Sequence, residues 1–202
     1  MYVGRVLCAT VALLLFVLAM EAAPALADFK DLHGALLQRS DVPASFKHSK
    51  VSIVPRFVQY LHVDYVSKGS RPITLNSVCA APPSAGRDGE IQTAAQTFFG
   101  SQNANFQLCG YLFKGDAGAQ KAYGAFGAFA RQALVVGFAK SLPSPHVGDT
   151  SLFFVGVSRG EANYLGLFRR ANAVIELVYQ GSRSYSPSSF LAAGERTSAR
   201  LH

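Results

Sequence analysis

A chain of 202 residues that is 50% hydrophobic and 15% charged has enough apolar material for a core, which excludes a chain too polar to fold. Its formal charge is +7, but the basic residues are scattered: Lys47, His48 and Lys50 form one group, Arg169-Arg170 a second, Arg196 and Arg200 a third. A solvated surface of basic pI accounts for such scatter, and any partner that the excess charge selects is anionic, such as a lipid headgroup, acidic polysaccharide or cell-wall polymer.

The first residues read as a signal peptide. Arg5 precedes an apolar run over residues 6–20, too short for a bilayer core that needs roughly 20 residues. Glu21 and the small residues Ala22-Ala23-Pro24-Ala25-Leu26-Ala27 follow, and Ala25-Leu26-Ala27 has the A-x-A form of a cleavage site. The expected domains are therefore a signal peptide over residues 1–27 and a single domain over residues 28–202. An uncleaved anchor is the alternative. Cys8 lies near the start of the apolar run, where a lipoprotein's acylated cysteine would have to follow it. Arg5 and Glu21 leave together, so the mature domain keeps its charge of +7. Export makes nucleic acid a poor partner.

Cleavage also removes Cys8 and leaves Cys79 and Cys109. Two cysteines in an exported chain read as a disulfide, with one intramolecular pairing available. A redox or metal pair is the competing reading. The spacing is not C-x-x-C, and no histidine lies close in sequence to either cysteine.

Along the mature chain, Phe29, Leu32, Leu36 and Leu37 have the spacing of an amphipathic helix over residues 28–39, ended near Val42-Pro43. Residues 51–66 are rich in β-branched and aromatic side chains and predict one or two strands with a break at Pro55-Arg56. Residues 67–72 and 80–89 are loop, with a short extended piece over 73–81 between them. Ile91, Ala94, Ala95 and Phe98 predict a short helix over residues 90–99, and residues 103–113 alternate as a strand. The longest helix spans residues 117–136, behind Gly115 and a capping Asp116. Its stripe includes Ala119, Ala122, Tyr123, Phe126 and Ala130, while Gly118, Gly124 and Gly127 each cost about 1 kcal/mol unless the helix lies close on a sheet. Three strands follow over residues 151–157, 162–169 and 173–179, joined by turns short enough to force antiparallel neighbours. In the second turn Asn172 is the residue suited to a left-handed backbone. A terminal helix covers residues 188–201. The fold class is α+β: an antiparallel sheet of about 5–6 strands packed with helices and closed by one disulfide.

Several segments together resemble a family. Leu36-Leu37, then Asp41-Val42-Pro43 and Phe46, resemble the opening of exported bacterial α/β domains found in cell-envelope lipoproteins and in the extracellular sensor domains of bacterial serine/threonine kinases. His146-Val147-Gly148-Asp149 leads into a strand, and Phe168-Arg169-Arg170-Ala171-Asn172-Ala173-Val174 is similar to their R-x-G-N-x-V hairpin. Arg200-Leu201 closes the terminal helix. Here Ala171 stands where the hairpin glycine is expected, and the lipobox and kinase are missing. The resemblance implies a single α/β sandwich that binds something outside the cell, and it carries over no catalytic residues.

Candidate chemistry is sparse. His62 and Asp64 share a strand face and form two thirds of a metal or acid–base site at best. Asp149 lies beside Thr150 and Ser151 without a nucleophile elbow, so it more simply fixes the turn. Glu176 sits mid-strand, either outward in a salt bridge, the favoured reading, or buried against an arginine such as Arg169. Tyr60, Tyr65, Tyr111, Tyr164 and Tyr179 are aromatic strand residues able to line a pocket or fill the core. Pocket candidates are therefore His62, Asp64, Asp149, Arg169 and Glu176, with no catalytic set, metal or cofactor. The expected function is an exported, non-enzymatic ligand-binding or sensor-like domain of the bacterial cell envelope, secreted or periplasmic. Its partner is a small molecule or an anionic envelope component, with at most peripheral membrane contact. The alternatives are an envelope protein that docks on anionic lipid or polymer, and a secreted enzyme of unrecognised class.

Overall fold

A computed structural model describes residues 28–48, 52–55, 64–65, 73–74, 89–101, 104–137, 140–144, 147–158 and 160–201. The expected signal peptide, His62 and Cys79 lie outside the described residues. The strands are β1 (Lys47–His48), β2 (Ser52–Pro55), β3 (Asp64–Tyr65), β4 (Ile73–Thr74), β5 (Glu90–Phe99), β6 (Asn105–Phe113), β7 (Lys140–Leu142), β8 (Thr150–Ser158), β9 (Glu161–Arg170) and β10 (Ala173–Gly181). The helices are α1 (Asp116–Gly137) and α2 (Pro187–Arg200).

The class is α+β, as the sequence implies. The main sheet is antiparallel in the order β1-β5-β6-β10-β9-β8-β7, with β2 also paired to β5. It has eight strands among the described residues, more than expected, because the short β1 and β7 are added at the edges and residues 90–99 join as β5. β3 and β4 pair separately. The β8–β9–β10 meander forms as the short turns require, and β10 then lies between β9 and β6 along its length.

Both faces of the sheet are covered. α1 lies on one face, where Ala119, Ala122 and Phe126 pack with Cys109, Tyr111 and Val174. Its apolar residues recur every three or four positions, which is what builds a stripe on a helix. Residues 28–46 and α2 cover the other face, where Leu32, Leu37, Phe106, Phe153, Phe168 and Phe190 join one core.

Three expectations change. Residues 90–99 form a strand, β5, rather than a helix. Ala94 and Phe98 face one core and Ala95 the other, so the strand is buried on both faces, with Thr93, Gln96 and Thr97 buried among its apolar residues, and the alternation that marks a half-exposed strand disappears. Residues 28–39 form no α-helix. They make an extended strap with two short 3-10 turns, His33–Ala35 and Arg39–Asp41. Its backbone is satisfied by side chains from the sheet. Leu32 N donates to Gln92 Oε1 at 2.7 Å, and Leu37 N donates to Gln96 Oε1 at 2.7 Å. Gln96 Nε2 returns a bond to the Leu37 carbonyl at 3.0 Å. Phe29 N donates to Asn172 Oδ1 at 2.7 Å. Gly34 passes so near α2 that a Cβ there would lie 2.4 Å from the Arg200 carbonyl oxygen. Finally, the left-handed residue of the β9–β10 turn is Ala171, at φ 45°, rather than Asn172. The Asn172 side chain serves instead to bridge Phe29 and Phe113, whose carbonyls it donates to.

Candidate functional site

A cleft of about 430 Å³ opens where the strap, the β8–β9 turn and the end of β10 converge. The strap brings Pro43, Ser45 and Phe46, and the β5–β6 connection brings Ser101 and Ala104. Gly160 and Glu161 come from the β8–β9 turn, and Tyr179 and Gly181 from β10. The following residues, Ser182, Arg183, Ser184 and Tyr185, form the rest of the wall. The Tyr185 N–H donates to the Ser182 carbonyl, folding this loop into a turn that returns the chain to α2. Ser186 then caps α2 by accepting from the Ser189 N–H at 3.1 Å, with a proline in the first turn.

The back of the cleft is a stack of rings. Tyr179 and Tyr185 lie 4.6 Å apart, Tyr164 and Tyr179 5.3 Å, and Phe46 and Tyr179 6.1 Å, all between ring centroids. Each phenol donates to a carbonyl: Tyr179 to Ser182, Tyr164 to Tyr185, and Tyr185 to both Asp41 and Ser189. Burial, with Tyr164 and Glu161 adding to it, pushes the Tyr179 hydroxyl up to about 12. Burial also drives Tyr185 well up, reinforced by Asp41 and opposed by Arg196. These phenols therefore stay protonated and act as fixed donors. Around them the wall is polar. Arg183 is exposed and forms no ion pair among the described residues, while Glu161 Oε2 accepts from Gln180 Nε2 at 3.1 Å.

The strap's side of the cleft is anchored by Asp41, which is only 2% exposed. Its carboxylate meets Arg196 Nε at 2.8 Å and Arg200 Nη2 at 2.6 Å, and accepts from the Gln38 N–H at 2.7 Å. A buried carboxylate is tolerable when paired and hydrogen-bonded in this way. It joins the strap to the terminal helix, which gives the resembling Asp41-Val42-Pro43 and Arg200-Leu201 segments a structural role.

Of the pocket candidates named from sequence, His62 lies outside the described residues, Arg169 and Asp149 come together, and neither they nor Glu176 line the cleft. Asp64 lies on β3, in the small separate sheet. Arg169 pairs with Asp116 and lies 3.5 Å from Asp149. Asp149 Oδ2 accepts from the Ala171 N–H at 2.7 Å, and the Asp149 N–H donates to the Arg169 carbonyl at 2.8 Å. Asp149 thus holds the distant β9–β10 turn through Ala171, rather than the turn into its own strand that the simpler sequence reading expects. Asp116 opens α1 but gives its carboxylate to Arg169. Ser151 Oγ donates to the Ser144 carbonyl at 2.9 Å.

Glu176 differs from both readings. It neither reaches Arg169 nor makes an outward salt bridge among the described residues. It sits on the α1 face opposite Cys109 and Leu167, between Val174 and Val178. Burial there raises its carboxyl from 4.5 to about 7. Tyr111 lies on the same face, fully buried, with its hydroxyl unpaired among the described residues. Of the candidate tyrosines among the described residues, Tyr179 lines the cleft and Tyr111 and Tyr164 do not. Arg183 and Tyr185 escaped notice because residues 181–187 read as a plain loop, and nothing local says which strands a loop will face; Phe46 is named in the sequence only as part of the resemblance. No group of three or more His, Cys, Asp or Glu able to hold a metal occurs among the described residues. No helix among them is long and apolar enough to cross a membrane.

No protein-family model matches the chain, and no curated protein matches it.

Proposed function

We propose that the chain is an exported, non-enzymatic ligand-binding domain of the bacterial cell envelope, sensor-like in use, and that the tyrosine cleft is its binding site. The observation that carries this reading is the cleft itself. It is large enough for a small molecule or a short stretch of polymer, and it has rings at its back and polar groups on its walls. In this reading the binding residues are those around Tyr179 and Tyr185, and the expected Asp149, Arg169 and Glu176 do not line the cleft.

Export rests on the pattern of residues 1–27, which leaves the mature domain secreted or periplasmic. A Cys79–Cys109 disulfide accompanies it. Support comes from the two cysteines that cleavage leaves, of which Cys109 is buried on β6. Such bonds persist in oxidising compartments.

The test uses the secreted chain. Because it lacks tryptophan, the tyrosines left after cleavage (the 8 of the full sequence less Tyr2) report binding through their fluorescence. A panel of envelope-derived small molecules and soluble polymer fragments is screened by thermal shift and tyrosine fluorescence. Ser184→Trp then fills the cleft wall and adds a single indole. A ligand that binds the wild type and is lost or weakened at least tenfold in Ser184→Trp supports the assignment. A ligand that binds both equally overturns the cleft as the site.

A further inference from the structure

A second cavity, of about 310 Å³, adjoins the cleft. Tyr185 lines both cavities, and Ser189, Asp41 and Arg196 line the second. The Tyr185 hydroxyl bridges the Asp41 and Ser189 carbonyls, so its ring is a partition held by strap and helix together. Each chamber carries one guanidinium. Arg183 stands on the wall of the first, exposed and without an ion pair among the described residues. Arg196 stands on the second, 45% exposed, and holds Asp41 through Nε. Asp41 also holds Arg200, which lines neither chamber, so the second chamber presents one guanidinium and a carboxylate shared between two arginines, as the first presents Arg183 and Glu161.

Between the two cations the surface is rich in hydroxyls. Ser182, Ser184, Ser186 and Ser189 follow one another along the loop into α2, on either side of the Tyr185 ring. Guanidinium groups match carboxylates and sulfates as paired donors, and serine hydroxyls both give and accept bonds. A half-buried phenol presents an apolar body with its polar tip already used. A single phosphate would need one cation. Two cations separated by a ring and a line of hydroxyls fit a chain with repeated charge and many hydroxyls. Lipid is less well served: the one large exposed hydrophobic among the described residues is Val157, on β8, and it lines neither chamber.

We propose that the ligand is an acidic saccharide chain laid across Tyr185, with one acidic unit at Arg183 and another at Arg196. This rests on the cleft as the binding site. The chain's overall charge of +7 would draw such a polyanion in from a distance.

The test titrates the mature chain with oligogalacturonate, with a neutral malto-oligosaccharide of equal length, and with phosphatidylglycerol vesicles. The expected result is binding to oligogalacturonate alone, weakened several-fold when salt rises to about 0.5 M. Arg183→Gln weakens it about tenfold, Arg183→Lys restores part of the loss, and Ser184→Trp abolishes it. Arg183 is exposed, so these variants fold. Equal binding of the neutral oligomer overturns the acidic class, yet leaves the cleft standing if Ser184→Trp still blocks it. Oligogalacturonate binding that ignores both Arg183→Gln and Ser184→Trp overturns the cleft reading as well. Binding to vesicles alone, or to none of the three, overturns the saccharide.

Discussion

At Glu176 a carboxyl is held where its ionised form is poorly solvated, with Val174 and Val178 beside it and Cys109 and Leu167 across the ladder. Its folded value of about 7 exceeds the ordinary 4.5, so the fold favours the protonated form. The stability this contributes is fully present below about 4.5 and is lost as pH rises through 7. The loss approaches ~3 kcal/mol above that range. Glu176→Gln keeps the neutral shape. Urea unfolding should find it near wild type at pH 5 and more stable by up to ~3 kcal/mol at pH 8. An equal difference at both pH values would show that the carboxyl ionises freely in the folded chain. Gly148 is a second residue with a local cause. Its φ is +65°, and a Cβ there would lie 2.4 Å from the Arg169 carbonyl oxygen. Gly148→Ala should cost about 2 kcal/mol or more, read as a lowered unfolding midpoint. The glycine was visible in the sequence, and so was the departure at Ala171. The left-handed backbone at φ 45° falls on Ala171, where the resembling hairpins carry glycine.

α1 was legible because one face is apolar and the other wet, and the β8–β9–β10 meander because β-branched and aromatic runs are separated by short turns; their expected bounds lie within a few residues of those observed. β5, buried from both sides, has neither an alternating pattern nor such turns around it. The strap fails for another reason. Its backbone partners are Gln92, Gln96 and Asn172, distant in sequence, and they outcompete the local i to i−4 bonds that a helix would have used. Asn172→Ala removes an amide bonded to both backbone groups of Phe29 and to the Phe113 carbonyl. It should destabilise the protein by roughly 2–3 kcal/mol and speed amide exchange at Phe29. Within α1, the glycines divide by what they face. Gly127 packs close, with a Cβ placed 3.1 Å from Leu152 Cδ1, whereas Gly124 faces open space. Gly124→Ala should therefore raise stability by about 1 kcal/mol, and Gly127→Ala should gain less or lose. Equal gains in thermal denaturation would mean that α1 stands off the sheet.

At the scale of the whole molecule, the proposed Cys79–Cys109 bond closes a loop of about 30 residues and should stabilise the secreted chain by roughly 3–4 kcal/mol. Peptide mapping should find that pair, and reduction should lower the melting temperature. Two free thiols in the secreted protein would dismiss the bond. Charge acts at this scale too: under the proposed saccharide reading, the formal charge of +7 draws a polyanion in and selection falls to Arg183, Arg196 and the hydroxyls around Tyr185. The sequence by itself determined the α+β class, the long amphipathic helix, the meander and the expectation of export, since each rests on short-range patterns of polarity. Only the tertiary structure decided that residues 90–99 are a strand, that residues 28–46 are a strap, and that a cleft exists. These depend on contacts between segments far apart in the chain: Asp41 with Arg200, Gln96 with Leu37, and Phe46 with Tyr179. Local periodicity carries no record of such contacts, because the groups that satisfy each segment belong to another.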